Sequence, residues 1–169
     1  MPLNQIKKYN ELLDITGMSP QQRTTSLKNI FDRDITLDSK NFKFRTKQIT
    51  PTPLDGEITM DTLFRHLTTV IIDKNSRRRE YDVHRSQRLH WVKHHTKETR
   101  KDKMLAYSTK EPNGFRTYIY DIEEKYVIVL EPLRRKNEYY LLTAYYVRGK
   151  DAKRNKFEKK YKRRLEELL

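Results

Sequence analysis

The sequence predicts an α+β protein: N-terminal helices, then a four-stranded antiparallel β-meander, then a basic C-terminal helix or tail. Three observations carry that expectation. Apolar residues recur at helical spacing through much of the first ninety residues. After residue 103 the texture changes to short segments rich in aromatic and β-branched residues, joined by turn-sized links. Only 35% of the 169 residues are hydrophobic, so the core must be economical and lean on 11 tyrosines and 6 phenylalanines, whose rings bury much area per residue.

The elements follow in order. Ile6, Tyr9, Leu12, Leu13 and Ile15 predict a first helix over 4–16, stopped by Gly17. Ser19 before Pro20 is a helix-start signal, and Leu27, Ile30 and Phe31 supply the apolar stripe of a second helix. A strand is expected at Asn41–Thr46. The run TPTPLDGE, 50–57, reads as a linker or ordered loop. It divides a helical N-terminal region, 1–56, from a domain over 57–169, with packing of the two as one compact unit left open. Leu63, Phe64 and Leu67 predict a third helix over Met60–Val70, and the polar patch DKNSRRRE separates it from a fourth over Tyr81–His94. Strands are expected at MLAYS (104–108), FRTYIYD (115–121), KYVIVLEP (125–132) and EYYLLTAYYV (138–147). Alternation places Arg116 and Tyr118 on one face of the sheet with Phe115 and Ile119 behind. Thr143 and Tyr145 are assigned to the same open face. The tail Arg148–Arg164 carries ten Lys or Arg against two acids, with Phe157 and Tyr161 four apart, so it is either an amphipathic basic helix or a solvated tail.

A formal charge of +14 favours a polyanionic partner, either nucleic acid or an acidic protein surface. The absence of cysteine excludes disulfides, thiolate nucleophiles and Cys-ligated zinc. With no run of 18 apolar residues and no signal-peptide pattern, a cytoplasmic protein without membrane contact is expected. GxSxG and GxxxxGK[ST] motifs are absent, which argues against a serine nucleophile elbow and against ATP chemistry.

The stretch RLHWVKHHTKET, 88–99, holds three of the five histidines and the only tryptophan. On a helix Tyr81, Leu89 and Val92 form the core stripe, while His90 and His94 lie on another side. Trp91 reads as a core anchor. His90 and His94 have i,i+4 spacing, but no third ligand accompanies them and the neighbourhood is positive, so no metal and no other cofactor is expected. His90 and His95 serve one site only if the helix ends near Lys93 and the chain turns. Metal-free RNA cleavage needs a general base, a general acid and cationic support for a phosphorane-like transition state, with the RNA 2′-hydroxyl as nucleophile. Histidine, arginine, threonine and tyrosine suit those tasks, and all are present.

A helix bearing RLHWVKHH, then a meander whose last strand contains LLTAYYV, then a lysine-rich tail, resembles the phage-associated branch of the barnase–EndoU–colicin–RelE superfamily of nucleases. The resemblance covers about residues 78–165. His90 and His95 match the two histidines, Arg88 the preceding arginine, and Thr143–Ala144–Tyr145 the strand. Trp91 and the additional His94 depart from the pattern. The resemblance implies a metal-independent ribonuclease or toxin of phage or mobile-element origin. In that picture His95 is a catalytic acid or base, His90 is catalytic or structural, Arg116 binds phosphate and Thr143 supplies a hydroxyl. Tyr118 and Tyr145 stack bases or position phosphate, while Arg88, Lys93, Lys153 and Arg154 bind the backbone. RNA is then the expected partner, with an acidic immunity protein or antitoxin covering the basic cleft. Two other readings stay open: a noncatalytic nucleic-acid-binding accessory protein, and a basic protein that binds an acidic one.

Overall fold

A computed structural model of the chain describes residues 7–8, 10–53, 59–98 and 101–169. Part of the first expected helix (4–6 and Tyr9) and part of the linker (54–57) lie outside these. The chain is α+β. Its strands form a main sheet of six and a separate two-stranded ribbon.

Helix α1, Pro20–Phe31, begins as its sequence signals. Ser19 accepts from the backbone N–H of Gln22, and the Gln22 side chain accepts from the Ser19 N–H, so two otherwise orphaned donors are satisfied. A short π-helical turn, Asp32–Thr36, continues it. Strands β1 (Lys43–Phe44) and β2 (Lys47–Pro51) form a tight hairpin turning at Arg45, which has φ 56°. Helix α2 spans Met60–Thr68 and passes directly into β3, Thr69–Asp73, which pairs with β4, Arg78–Tyr81. Helices α3, Val83–Ser86, and α4, Trp91–Thr96, follow. Strands β5 (Met104–Glu111), β6 (Gly114–Asp121), β7 (Tyr126–Leu133) and β8 (Glu138–Tyr146) pair antiparallel in succession. The β5–β6 turn needs Gly114, whose φ of +119° is open to few L side chains. Helices α5, Lys150–Lys153, and α6, Lys156–Lys162, follow β8.

The arrangement differs from the expected one in four places. The sheet has six strands in the order β1-β2-β8-β7-β6-β5, because β2 adds parallel to β8 (Gln48 opposite Glu138, Pro51 opposite Leu141). The N-terminal region therefore contributes strands as well as a helix. The described residues of the expected first helix are irregular. Leu13 and Ile15 are buried while Leu12, Asp14 and Thr16 are exposed, the period-two burial of an extended segment, and the Leu13 N–H donates to the Gln87 carbonyl. Finally, the helix expected over 81–94 is broken. Asp82 caps α3, and residues 87–90 turn before α4 begins at Trp91. The expected stop near Lys93 is not there, since α4 runs on through Thr96.

One core crosses the boundary expected at 56–57. Leu13, Ile15, Leu27, Phe31, Phe44 and Ile49 pack with Leu63, Trp91, Ile119, Ile128 and Leu141 on one face of the sheet. On the other face, Tyr107, Tyr118, Tyr120 and Val127 pack around Phe157 of α6. The face expected to be open is thus covered by the basic C-terminal helix, whose apolar side is Phe157 and Tyr161. Strand β8 changes phase on the way. Tyr139 and Leu141 point to the first core, and so does Ala144, because a bulge at Leu142 inserts one residue opposite the Val129–Leu130 step.

Candidate anion-binding cleft

The histidines singled out by the sequence are internal. His90 is fully buried, and its Nε2–H donates to the Lys8 carbonyl at 2.7 Å. Burial pushes its pKa down to about 4, so the ring is neutral at pH 7. His95 is also buried, at 2% exposure, and both ring nitrogens are occupied. Nδ1 donates to the Trp91 carbonyl at 2.8 Å, and Nε2 meets the buried Asp121 carboxylate at 3.0 Å. The other Asp121 oxygen accepts from the Glu124 N–H. Trp91 stacks on His95 with ring centroids 5.8 Å apart and donates its indole N–H to the Glu11 carbonyl, as a core anchor does. Neither histidine presents a nitrogen to solvent, so neither is placed to exchange protons with a bound substrate.

The expected convergence of His95, Arg116 and Thr143 does not occur. His95 packs on the first core face beside Tyr126. Arg116 and Thr143 alternate onto the opposite face, where Thr143 sits across from Val129. Arg116 lies two residues before Tyr118 in β6 and two strands from β8, which separates its Cα from that of Thr143 by about 12 Å. Its Nη1 donates to the Phe115 carbonyl. Tyr118 and Tyr145 share a face, as assigned, but both pack near Phe157, so their rings are not free platforms for bases. Lys93 is half-buried on α4, and Lys153 and Arg154 are exposed between α5 and α6. Among the described residues no group of three or more His, Cys, Asp or Glu side chains is placed to hold a metal ion.

A different constellation is assembled at the β8 edge. Strand β2 meets β8 only along Glu138–Leu141, so beyond the bulge the edge of β8 is left to α2 and α3. The Asp82 carboxylate caps α3 by accepting from the Arg85 N–H, and this aims the Arg85 side chain across that edge. Arg85 Nη1 donates to the His66 carbonyl and to Thr143 Oγ1, each at 2.9 Å, with the guanidinium 5.4 Å from the Tyr145 ring centre. One pocket of about 180 Å³ is lined by Val70, Asp82, His84, Arg85, Tyr145, Tyr146 and Arg148. That is small for a drug-sized ligand, which needs roughly 300 Å³ or more, and suits a group the size of a phosphate.

Positive charge is concentrated around this pocket. Arg79, held by Thr69 through Nε and Nη2, and Arg65 both act on Arg85's neighbourhood. Burial, then the charges of Arg85 and Arg65, hold the Arg79 guanidinium below its ordinary pKa. Burial does the same to Arg85 and to Arg88, whose guanidinium stacks 4.1 Å from the Tyr146 ring centre. His66 is lowered by burial and then by Arg79, Arg85 and Arg65. Asp82 is the acid among the pocket-lining residues. Sequence reasoning missed Arg85, and it read Arg77–Arg79 and the tail from Arg148 only as nonspecific phosphate contacts. The available signal was Asp82 following a strand, an N-cap that starts a new helix at Val83 and sets the direction of Arg85.

Fold and cleft together describe a basic α+β protein with a guanidinium-rich pocket at a sheet edge. Comparison with protein-family models, with curated proteins and with solved structures finds no match in any of the three. Among the described residues no helix is long and apolar enough to cross a membrane.

Proposed function

We propose that the protein binds nucleic acid without cutting it at the His90–His95 segment, gripping a backbone phosphate in the Arg85 pocket. The observation that supports this reading most is a phosphate-sized pocket lined by Arg85 and Arg148, with Arg79 and Arg65 beside them. Burial lowers the pKa of the Arg79 and Arg85 guanidinium groups, and both keep their charge. A bound phosphate adds to the countercharge of Asp82 and accepts from the guanidinium fork. Exposed Arg148 and the chain's +14 charge extend the attraction beyond the pocket.

Fluorescence anisotropy with labelled RNA and DNA, across a salt series, tests the reading. Wild type binds with a steep negative salt slope, and Arg148→Ala lowers that slope by about one. Binding unchanged in Arg148→Glu and Arg65→Glu, or no binding of either nucleic acid, would sink it.

A ribonuclease reading is favoured by one observation at the same pocket: the His84 imidazole and Thr143 hydroxyl flank Arg85. An imidazole beside a phosphate-binding guanidinium supplies one proton-transfer group and the cationic support that metal-free transesterification by the RNA 2′-hydroxyl needs. Cleavage of labelled RNA in EDTA that disappears in His84→Gln selects this reading. An acidic protein is the third occupant the pocket admits, and it would compete with nucleic acid.

A further inference from the structure

The β3–β4 ribbon is largely exposed. Only its base is tied down, by the Asp82 N–H to the Thr68 carbonyl and by Arg79 on Thr69. Beyond that, Ile71 through Arg78 are all exposed, with Ile71 at 49% and Ile72 at 43%. Adjacent exposed isoleucines are unusual on a chain this polar. The opposite side of the turn carries Arg77 and Arg78, with Lys74 at the tip. The tip is preorganised: the Asp73 carboxylate accepts from the Asn75 N–H and the Ser76 hydroxyl, and Arg77 is fixed at φ 57°. At Ile71–Asp73 a bulge adds twist to the ribbon.

We infer that this ribbon enters the major groove of duplex DNA while the Arg85 pocket holds the flanking backbone. The inference rests on the nucleic-acid reading above and narrows its ligand to a B-form duplex. Shape supports it first. Two strands lie about 4.8 Å apart and a five-residue strand runs about 17 Å, so the ribbon fits a B-form major groove about 12 Å wide. A-form RNA presents a deep, narrow major groove that does not admit such an element. Charge supports it next. Lys74, Arg77 and Arg78 line the turn where phosphates flank the groove, and Arg78 is only loosely held by exposed Glu80 at 3.8 Å. The isoleucines supply what the groove floor offers an apolar side chain, the thymine C5-methyl group. Finally, Val70 of the same ribbon lines the Arg85 pocket, so the ribbon and the pocket form one continuous surface.

The test compares a short A·T-containing DNA duplex, the same duplex with deoxyuridine in place of thymine, the corresponding RNA duplex and single-stranded RNA. Wild type should prefer the DNA duplex to the RNA duplex and should bind the deoxyuridine duplex more weakly. The double variant Arg77→Ala/Arg78→Ala should bind the DNA duplex on the order of tenfold more weakly, with a salt slope smaller by about two, and bind single-stranded RNA as wild type does. Ile71→Thr/Ile72→Thr keeps β-propensity and should erase the preference for thymine over deoxyuridine. If both variants bind the duplex like wild type while Arg148→Glu still weakens binding, the ribbon inference is overturned and the pocket reading stands. Wild type that binds no nucleic acid overturns both. A ribbon variant that turns a dimer into a monomer in sedimentation, with duplex binding intact, also overturns it, because the ribbon is then a protein interface.

Discussion

Acidification should destabilise the fold through His90. In the native state this ring is buried and holds its pKa near 4, against 6.5 in an unfolded chain. Between those values the unfolded state binds the extra proton, so stability is full above pH 6.5 and falls as the pH drops toward 4. At about 1.4 kcal/mol per pH unit, the loss by pH 4 is about 3 kcal/mol, a large part of a typical domain's stability. His66 and His94 are also lowered by burial and push in the same direction. Urea unfolding of wild type and His90→Gln at several pH values between 7 and 4 isolates the His90 share. Glutamine keeps an N–H for the Lys8 carbonyl but does not titrate. The variant should start less stable at pH 7 and lose about 3 kcal/mol less on the way to pH 4. Parallel curves for the two proteins would refute the neutral, buried assignment.

Two further perturbations address the core. Asp121→Asn removes the carboxylate from a buried, doubly bonded histidine and should cost about 3–5 kcal/mol in urea unfolding. In buffer that keeps the variant folded, nucleic-acid affinity should stay at the wild-type value; a selective loss of binding would place His95 in the site after all. Phe157→Ala empties the centre of the tyrosine cluster and should cost about 3–5 kcal/mol. It should also quicken hydrogen exchange in α6 and at Tyr107, whose hydroxyl donates to the Phe157 carbonyl.

How far the sequence could be read depended on whether each signal was local. Ser19–Pro20 fixes the start of α1 through groups three residues apart, and Asn113–Gly114 fixes a turn, so both are legible. Leu12, Leu13 and Ile15 fit a helix and a strand equally well, and the partner that decides, Gln87, is far along the chain. KQITP hides β2 because a proline-ended segment with one buried isoleucine resembles a loop until β8 is beside it. The turn at 87–90 contains neither glycine nor proline, so nothing in it announces that Trp91 begins a new helix. That break reoriented the whole candidate site. His95 went inward to Asp121, a residue 26 positions later, and Arg85 took the exposed edge.

The parallel pairing of β2 with β8 has a consequence for how the chain acquires its shape. Residues 48–51 can find their partners only after residues 138–141 have been made, and the hairpins of β5–β8 must assemble in between. Contacts of such long sequence separation slow folding, because loop closure precedes the gain from pairing. During synthesis the edge of β2 therefore waits without a neighbour, and the early half of the protein is a client for protection until the late half arrives.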